Sequence, residues 1–137
     1  MSQEVFGDAL DTDQTLVHRK KYWIFQRRGM AMAPNGDIYF HPDDFVDDFS
    51  TLGISGRSWF VHELTHVWQH QAGVNVAVRG ALNRNYNYAP LNRNTPFSSY
   101  GVEAQGSIVE DYYRVMNGYS PRQGNATLQD YRAVVPF

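Results

Sequence analysis

Arg57-Ser58-Trp59-Phe60-Val61-His62-Glu63-Leu64-Thr65-His66-Val67-Trp68-Gln69-His70-Gln71-Ala72 runs between Gly56 and Gly73 without a helix breaker. It reads as a helix over roughly 57–72, which Gly73 can close. Inside it stands His62-Glu63-Leu64-Thr65-His66, an H-E-x-x-H sequence. Residues four apart share a helical face, so both imidazoles can reach one metal ion. Glu63 follows His62 by about 100° of helical turn, beside that ion and placed to act on a water. At this composition the motif would arise in roughly 0.5% of shuffled chains. Phe60, Leu64, Val67 and Trp68 cluster on the arc opposite the histidines, so the helix is expected to pack by one face and present its histidines on the other.

His70 continues the i, i+4 series but stands about 12 Å along the axis from His62, too far for a shared ion. The remaining ligand must come from elsewhere. A second helix is expected from about Tyr100 to Asn117, with Gly118 as its cap. Glu103, Ser107, Glu110 and Arg114 form its polar stripe, and Val102, Ile108, Val109, Tyr112, Val115 and Met116 a broad apolar arc. Carboxylates on so apolar a helix need partners, and a metal is one. Glu103 leads as third ligand because Ala104 and Gly106 are small and permit close helix packing. Glu110 is the alternative. Both could instead sit in a solvated stripe, with Glu110 paired to Arg114 at i, i+4.

The rest of the chain suggests strands before helices. Val17 to Gln26 has the β propensity of a strand through Tyr22, Trp23, Ile24 and Phe25. Met30–Ala33 and Asp37–Phe40 flank Pro34-Asn35-Gly36 as a hairpin. Residues 79–99 read as a long ordered loop, in which Leu-Asn-Arg-Asn occurs twice but is too short for a structural repeat. Ala133-Val134-Val135 reads as a short terminal strand. Residues 1–137 together make one α+β domain: a small twisted antiparallel hairpin sheet on the histidine helix, completed by the second helix. The 37–40 strand is expected to be an edge open to an extended peptide.

Composition excludes other classes. Twelve Lys and Arg against 14 Asp and Glu give a net charge of −2, which argues against nucleic acid as a partner. Hydrophobic residues make up 42% and charged residues 19%, a globular balance. No cysteine is present, so thiolate ligands and disulfides are out. No apolar run approaches the roughly 20 residues of a membrane span, and the early residues lack a signal-peptide apolar region, so a Sec route is not expected. The basic cluster His18, Arg19, Lys20, Lys21, Arg27 and Arg28 reads as a charged strand edge. Tyr86, Tyr88, Tyr100 and Tyr113 are each candidates to donate to an oxyanion.

Several of these segments resemble one family. Phe6-Gly7-Asp8, Val17-His18, Pro34-Asn35-Gly36-Asp37-Ile38-Tyr39-Phe40 and His62 to Gln69 are similar to the eCIS-core metallopeptidase-like domain. The match is closer to the Vgr- and Rhs-associated zinc metallopeptidase domains of type VI secretion spike proteins, which share the hairpin, the H-E-x-T-H-V-W-Q helix and a Tyr-Gly-x-Glu segment like Tyr100 to Glu103. The resemblance implies a zincin-like fold, Zn²⁺ held by His62, His66 and Glu103, and Glu63 as general base. It implies a peptide or protein substrate, type VI delivery and action in the periplasm of rival bacteria. A Vgr or Rhs spike and an immunity protein are then the candidate partners. These 137 residues contain no spike region, where the family pattern has one, so a free-standing effector or an excised domain is expected.

The expected function is therefore a zinc metallopeptidase of the antibacterial effector class. The rival is a non-catalytic adaptor of a secretion apparatus, which would have no need of Glu63.

Overall fold

The computed structural model describes residues 1–137. In chain order it contains helix α1 (Ser2–Phe6), strands β1 (Val17–His18) and β2 (Ile38–Tyr39), and helices α2 (Ile54–Gln71), α3 (Val76–Leu82), α4 (Val102–Met116) and α5 (Leu128–Val134). Short 3₁₀ turns lie between them. The architecture is α+β, with far more helix than sheet.

The two long helices carry the fold. Both end where the glycines say they should: Gly73 and Gly118 take the left-handed φ values of 86° and 80°. Helix α4 buries Val102, Ala104, Ile108, Val109, Tyr112 and Tyr113 against its surroundings. Its partner α2 has no solvent face at mid-length. Val61, Leu64 and Val67 are buried, and so are Ser58, His62, Glu63, Thr65, His66 and Gln69. The expectation of histidines on an open face is thus corrected, because α4 and the cleft cover that side. Ile108 is fully buried, so its truncation to Ala would cost about 2–5 kcal/mol.

Aromatic rings close the other side of α2. Phe40 lies 4.5 Å from Phe49 and 5.0 Å from Trp59, centroid to centroid, and Phe49 stacks on Phe60 at 4.6 Å. The termini join the same core. Phe6 of α1 meets Phe137 at 4.7 Å, and Trp68 meets Phe137 at 5.0 Å.

The sheet differs from the expected antiparallel hairpin. β1 pairs with β2 in parallel, Val17 opposite Ile38 and His18 opposite Tyr39. Asp37 locks that register by accepting from the Leu16 N–H at 3.0 Å and pairing with His18 Nε2 at 2.8 Å. Pro34-Asn35-Gly36 does reverse the chain, but only one antiparallel bridge forms, Met32 with Tyr39. The 37–40 segment is therefore bonded on both sides: Phe40 N–H donates to His18 at 3.0 Å and Tyr39 N–H to Met32 at 2.8 Å. It offers no open edge.

Three further expectations fail for physical reasons. The strand over 17–26 stops at His18, because Tyr22 to Phe25 find no partner strand and stand exposed, Tyr22 resting only by its ring edge on Tyr39 at 5.1 Å. The basic residues around them consequently decorate a loop and not a strand edge. Within 79–99 the chain completes α3, started by the Asn75 side chain accepting from the Val78 N–H. The terminal strand is helix α5, started by a capping box in which Thr127 and Asp130 exchange hydrogen bonds.

Candidate metal centre

His62 and His66 project from one face of α2, and Glu103 from the first turn of α4, toward one point. Glu103 Oε2 stands 3.2 Å from His62 Nε2 and 3.1 Å from His66 Nε2. One ligand atom from each of the three lies within 4.8 Å of the others. Such closeness requires Gly106, one turn beyond Glu103: a Cβ there would come within 2.7 Å of the His62 ring. The small residue singled out in the sequence is the one that lets the imidazole in.

The far nitrogens of both rings are held by oxygens. His62 Nδ1 is 3.3 Å from Glu110 Oε2, and Glu110 Oε1 in turn accepts from Ser58 Oγ at 3.3 Å and Arg122 at 2.9 Å. His66 Nδ1 is 2.8 Å from Gln69 Oε1. The Gln69 amide nitrogen donates to Val102 O at 3.0 Å and Gln105 Oε1 at 2.8 Å, which turns its oxygen toward His66. Each imidazole thereby has a partner for a proton on Nδ1, so that an ion displacing the Nε2 protons would find a lone pair there. Glu110 accordingly sits behind His62, and it meets Arg122 in place of the expected Arg114. Arg114 instead donates to Ser120 O at 3.0 Å.

The electrostatics favour a cation at this point. Burial works against a charged His62, but hydrogen bonds to Glu103 and Glu110 and the nearby Glu63 charge outweigh it and lift its pKa to about 10. Burial would raise the Glu103 carboxyl, yet the two imidazoles hold it well below the usual carboxylate range. Glu63 goes the other way: burial pushes its carboxyl up, with His66 and His62 pulling back. Two imidazoles and a carboxylate with anchored outer atoms are a donor set that suits a divalent transition-metal ion.

The site opens into a cleft of about 830 Å³ bordered by His62, Glu63, His66 and Glu103. Trp59, Met30 to Pro34, Ala77, Arg84 and Tyr86 also border it. Of the candidate tyrosines only Tyr86 comes to the histidines, its ring 5.9 Å from that of His62. Burial, then the charges of Glu103 and Glu63, push its hydroxyl up to about 12. Tyr88 is committed elsewhere, donating to Asp111 at 2.6 Å and meeting the Tyr131 hydroxyl at 2.6 Å. Tyr113 is buried against Arg57, and Tyr100 borders a separate small cavity. His70 is exposed and apart from the centre, as its spacing predicts. Sequence reasoning missed Arg122, whose approach to Glu110 has no local signal. It also missed the role of Gln69, for which the i+3 spacing from His66 was the available clue.

No protein-family model matches the chain. It is 36% identical over 135 residues to the type VI secretion system spike protein VgrG2b of Pseudomonas aeruginosa, an alignment covering 92% of this chain. The chain spans 13% of that relative's length. Among solved structures, the effector domain of Pseudomonas aeruginosa VgrG2b is similar with a TM-score of 0.79 and 37% identity, over 85% of this chain and 69% of that one.

Proposed function

Because the chain belongs to the family of the VgrG2b effector domain, we propose that it is a zinc-dependent, zincin-like metallopeptidase domain acting as an antibacterial type VI secretion effector. The observation that carries this reading is the convergence of His62, His66 and Glu103 on one point, with Glu63 buried beside them at the cleft. His62, His66 and Glu103 are the residues that hold the ion. Zinc supplies, when bound, a Lewis acid that polarises a carbonyl and eases deprotonation of water.

The chain's own residues do the rest. Glu63 takes a proton from the attacking water on a carboxylate oxygen and returns it to the leaving amine nitrogen. Burial raises its carboxyl, which favours that return. Tyr86, still protonated with a pKa pushed up to about 12, donates its hydroxyl to the carbonyl oxygen as negative charge grows there. An extended peptide lies along Met30 to Ala33, the segment that borders the cleft and turns its Met32 groups toward Tyr39. The substrate is a peptide or protein of the bacterial envelope, met in the periplasm of target cells after delivery on a Vgr or Rhs spike. An immunity protein in the producing cell is the matching partner.

The test compares wild type with Glu63→Gln, which removes the base but keeps the shape and the ligands. Purified proteins of both kinds should carry about one zinc per chain. Each is then expressed in bacteria, in the cytoplasm and, with an added signal, in the periplasm. Growth inhibition by wild type alone, and only in the periplasm, supports the reading. Equal toxicity of both forms rejects catalytic killing. Harmlessness of both in every compartment favours a non-catalytic docking module.

A further inference from the structure

Residues 19–30, Arg-Lys-Lys-Tyr-Trp-Ile-Phe-Gln-Arg-Arg-Gly-Met, form no strand and supply nothing to the donor set. The loop is nevertheless built. Gln26, 1% exposed, accepts from the Tyr22 N–H at 2.7 Å and donates to the carbonyls of Met30 at 2.8 Å and Tyr39 at 2.9 Å. One polar side chain thus takes the inside of the loop, and the apolar residues are turned out. Trp23 is 55% exposed, Ile24 77% and Phe25 67%, and the Trp23 and Phe25 rings rest edge-on against each other at 4.9 Å. A contiguous outward-facing apolar tip on a water-exposed loop marks a contact with something else.

The charges around the tip say what. Five cations and no anion lie within residues 19–30, although the whole chain has a net charge of −2. Arg19, Lys20 and Lys21 precede the tip; Arg27 and Arg28 follow it. The acidic loop offsets only the second group, with Asp43 at 3.9 Å from Arg28 and Asp44 accepting from the Gly29 N–H. Tyr22, Trp23 and Phe25 also border the cleft, but Ile24, the most exposed of the four, does not. A peptide in the cleft would leave Ile24 and the lysines unused. Aromatic and aliphatic tips flanked by Lys and Arg seat at the headgroup level of a bilayer, where anionic lipids meet the cations.

We propose that the Tyr22–Phe25 tip docks on an anionic phospholipid bilayer, with Lys20, Lys21 and Arg27 against the headgroups. Docking brings the mouth of the cleft to the membrane surface. The surface contact involves none of the metal-centre residues, so it stands or falls apart from the proposed chemistry.

Sedimentation of the full chain with phosphatidylcholine vesicles, with and without roughly 30% phosphatidylglycerol, tests it. Binding is expected with the anionic lipid, weakening as salt rises. Replacing Lys20 and Lys21 by Gln should cost about thirtyfold in partitioning at low salt, near fivefold for each charge. Trp23→Ser with Ile24→Ser should remove binding, while thermal melting stays at the wild-type value because both side chains are exposed. The Glu63→Gln protein should bind as wild type does. No pelleting of wild type with anionic vesicles overturns the proposal, as does undiminished binding by the loop variants. Loop variants that alter cleavage of a soluble peptide but not vesicle binding would instead assign the tip to the cleft.

Discussion

Gly106 and His62 are in contact so close that no side chain fits between them: a Cβ on residue 106 would stand 2.7 Å from both Cε1 and Nε2 of the imidazole. The two long helices therefore approach at the one place where an imidazole must reach across to Glu103. Gly106→Ala gains up to about 1 kcal/mol of helix propensity. It also drives the ring off its line, and that ring is tied to Glu103 and Glu110 and cannot swing freely. Zinc affinity measured by chelator competition should fall by about 10- to 100-fold. Unchanged affinity would mean that the His62 nitrogen at this contact is not a ligand.

Glu103 and Glu110 both lie near His62, at 3.2 Å from Nε2 and 3.3 Å from Nδ1 respectively. Only the first also reaches His66, at 3.1 Å. Glu103→Ala should thus abolish stoichiometric zinc. Glu110→Ala should leave the ion bound, with affinity lower by about 10- to 100-fold because the His62 ring loses its support. Equal or reversed losses in metal analysis would move the ligand role to Glu110.

Much of this arrangement was legible because local rules and tertiary need agree. The helices could be placed from Gly73, Gly118 and the apolar period, and the nearness of Glu103 to the histidines from its small neighbours Ala104 and Gly106. Other parts depend on partners far along the chain. Strand propensity measures packing against a neighbouring strand, and Tyr22 to Phe25 have no strand beside them, so the propensity misleads. The parallel register rests on Asp37 binding Leu16 and His18, which no local pattern encodes. Arg122 reaches Glu110 only after the chain has turned back past Asp111, whose carboxylate accepts the Arg122 N–H at 2.6 Å. Helix α5 was different: its Thr127-x-x-Asp130 capping signal is local and stood unread beside the β propensity of Val134-Val135.

Tyr86 is the tyrosine whose ring lies beside His62. Its hydroxyl faces the charges of Glu103 and Glu63 and can serve the growing negative charge. Tyr86→Phe should lower kcat by about 100-fold or more with little change in KM, the mark of an interaction made chiefly in the transition state. Zinc content should stay at the wild-type level. A rise in KM with kcat intact would make Tyr86 a substrate-binding group only.

Asp130 ties stability to pH at a distance from the candidate metal site. Its carboxylate accepts from the Thr127 backbone at 2.7 Å and hydroxyl at 2.8 Å and from Arg93 at 2.6 Å, and these bonds lower its pKa to about 2. The capping box starts α5, whose Tyr131 meets Tyr88 beside Asp111, so loosening it loosens the wall that holds Arg122 to Glu110. A depressed folded-state pKa stabilises the protein above the unfolded value, ordinarily 3.8, and that contribution is lost as pH falls through the folded value. Asp130→Asn, which keeps the shape but not the charge, should melt below wild type at pH 7. The difference in melting temperature should shrink as the pH drops from 3.8 toward about 2. Thr127→Ala, which removes the other half of the box, should cost about 1 kcal/mol at pH 7. A gap between wild type and Asp130→Asn that stayed constant across the acid range would separate the capping geometry from the carboxylate charge.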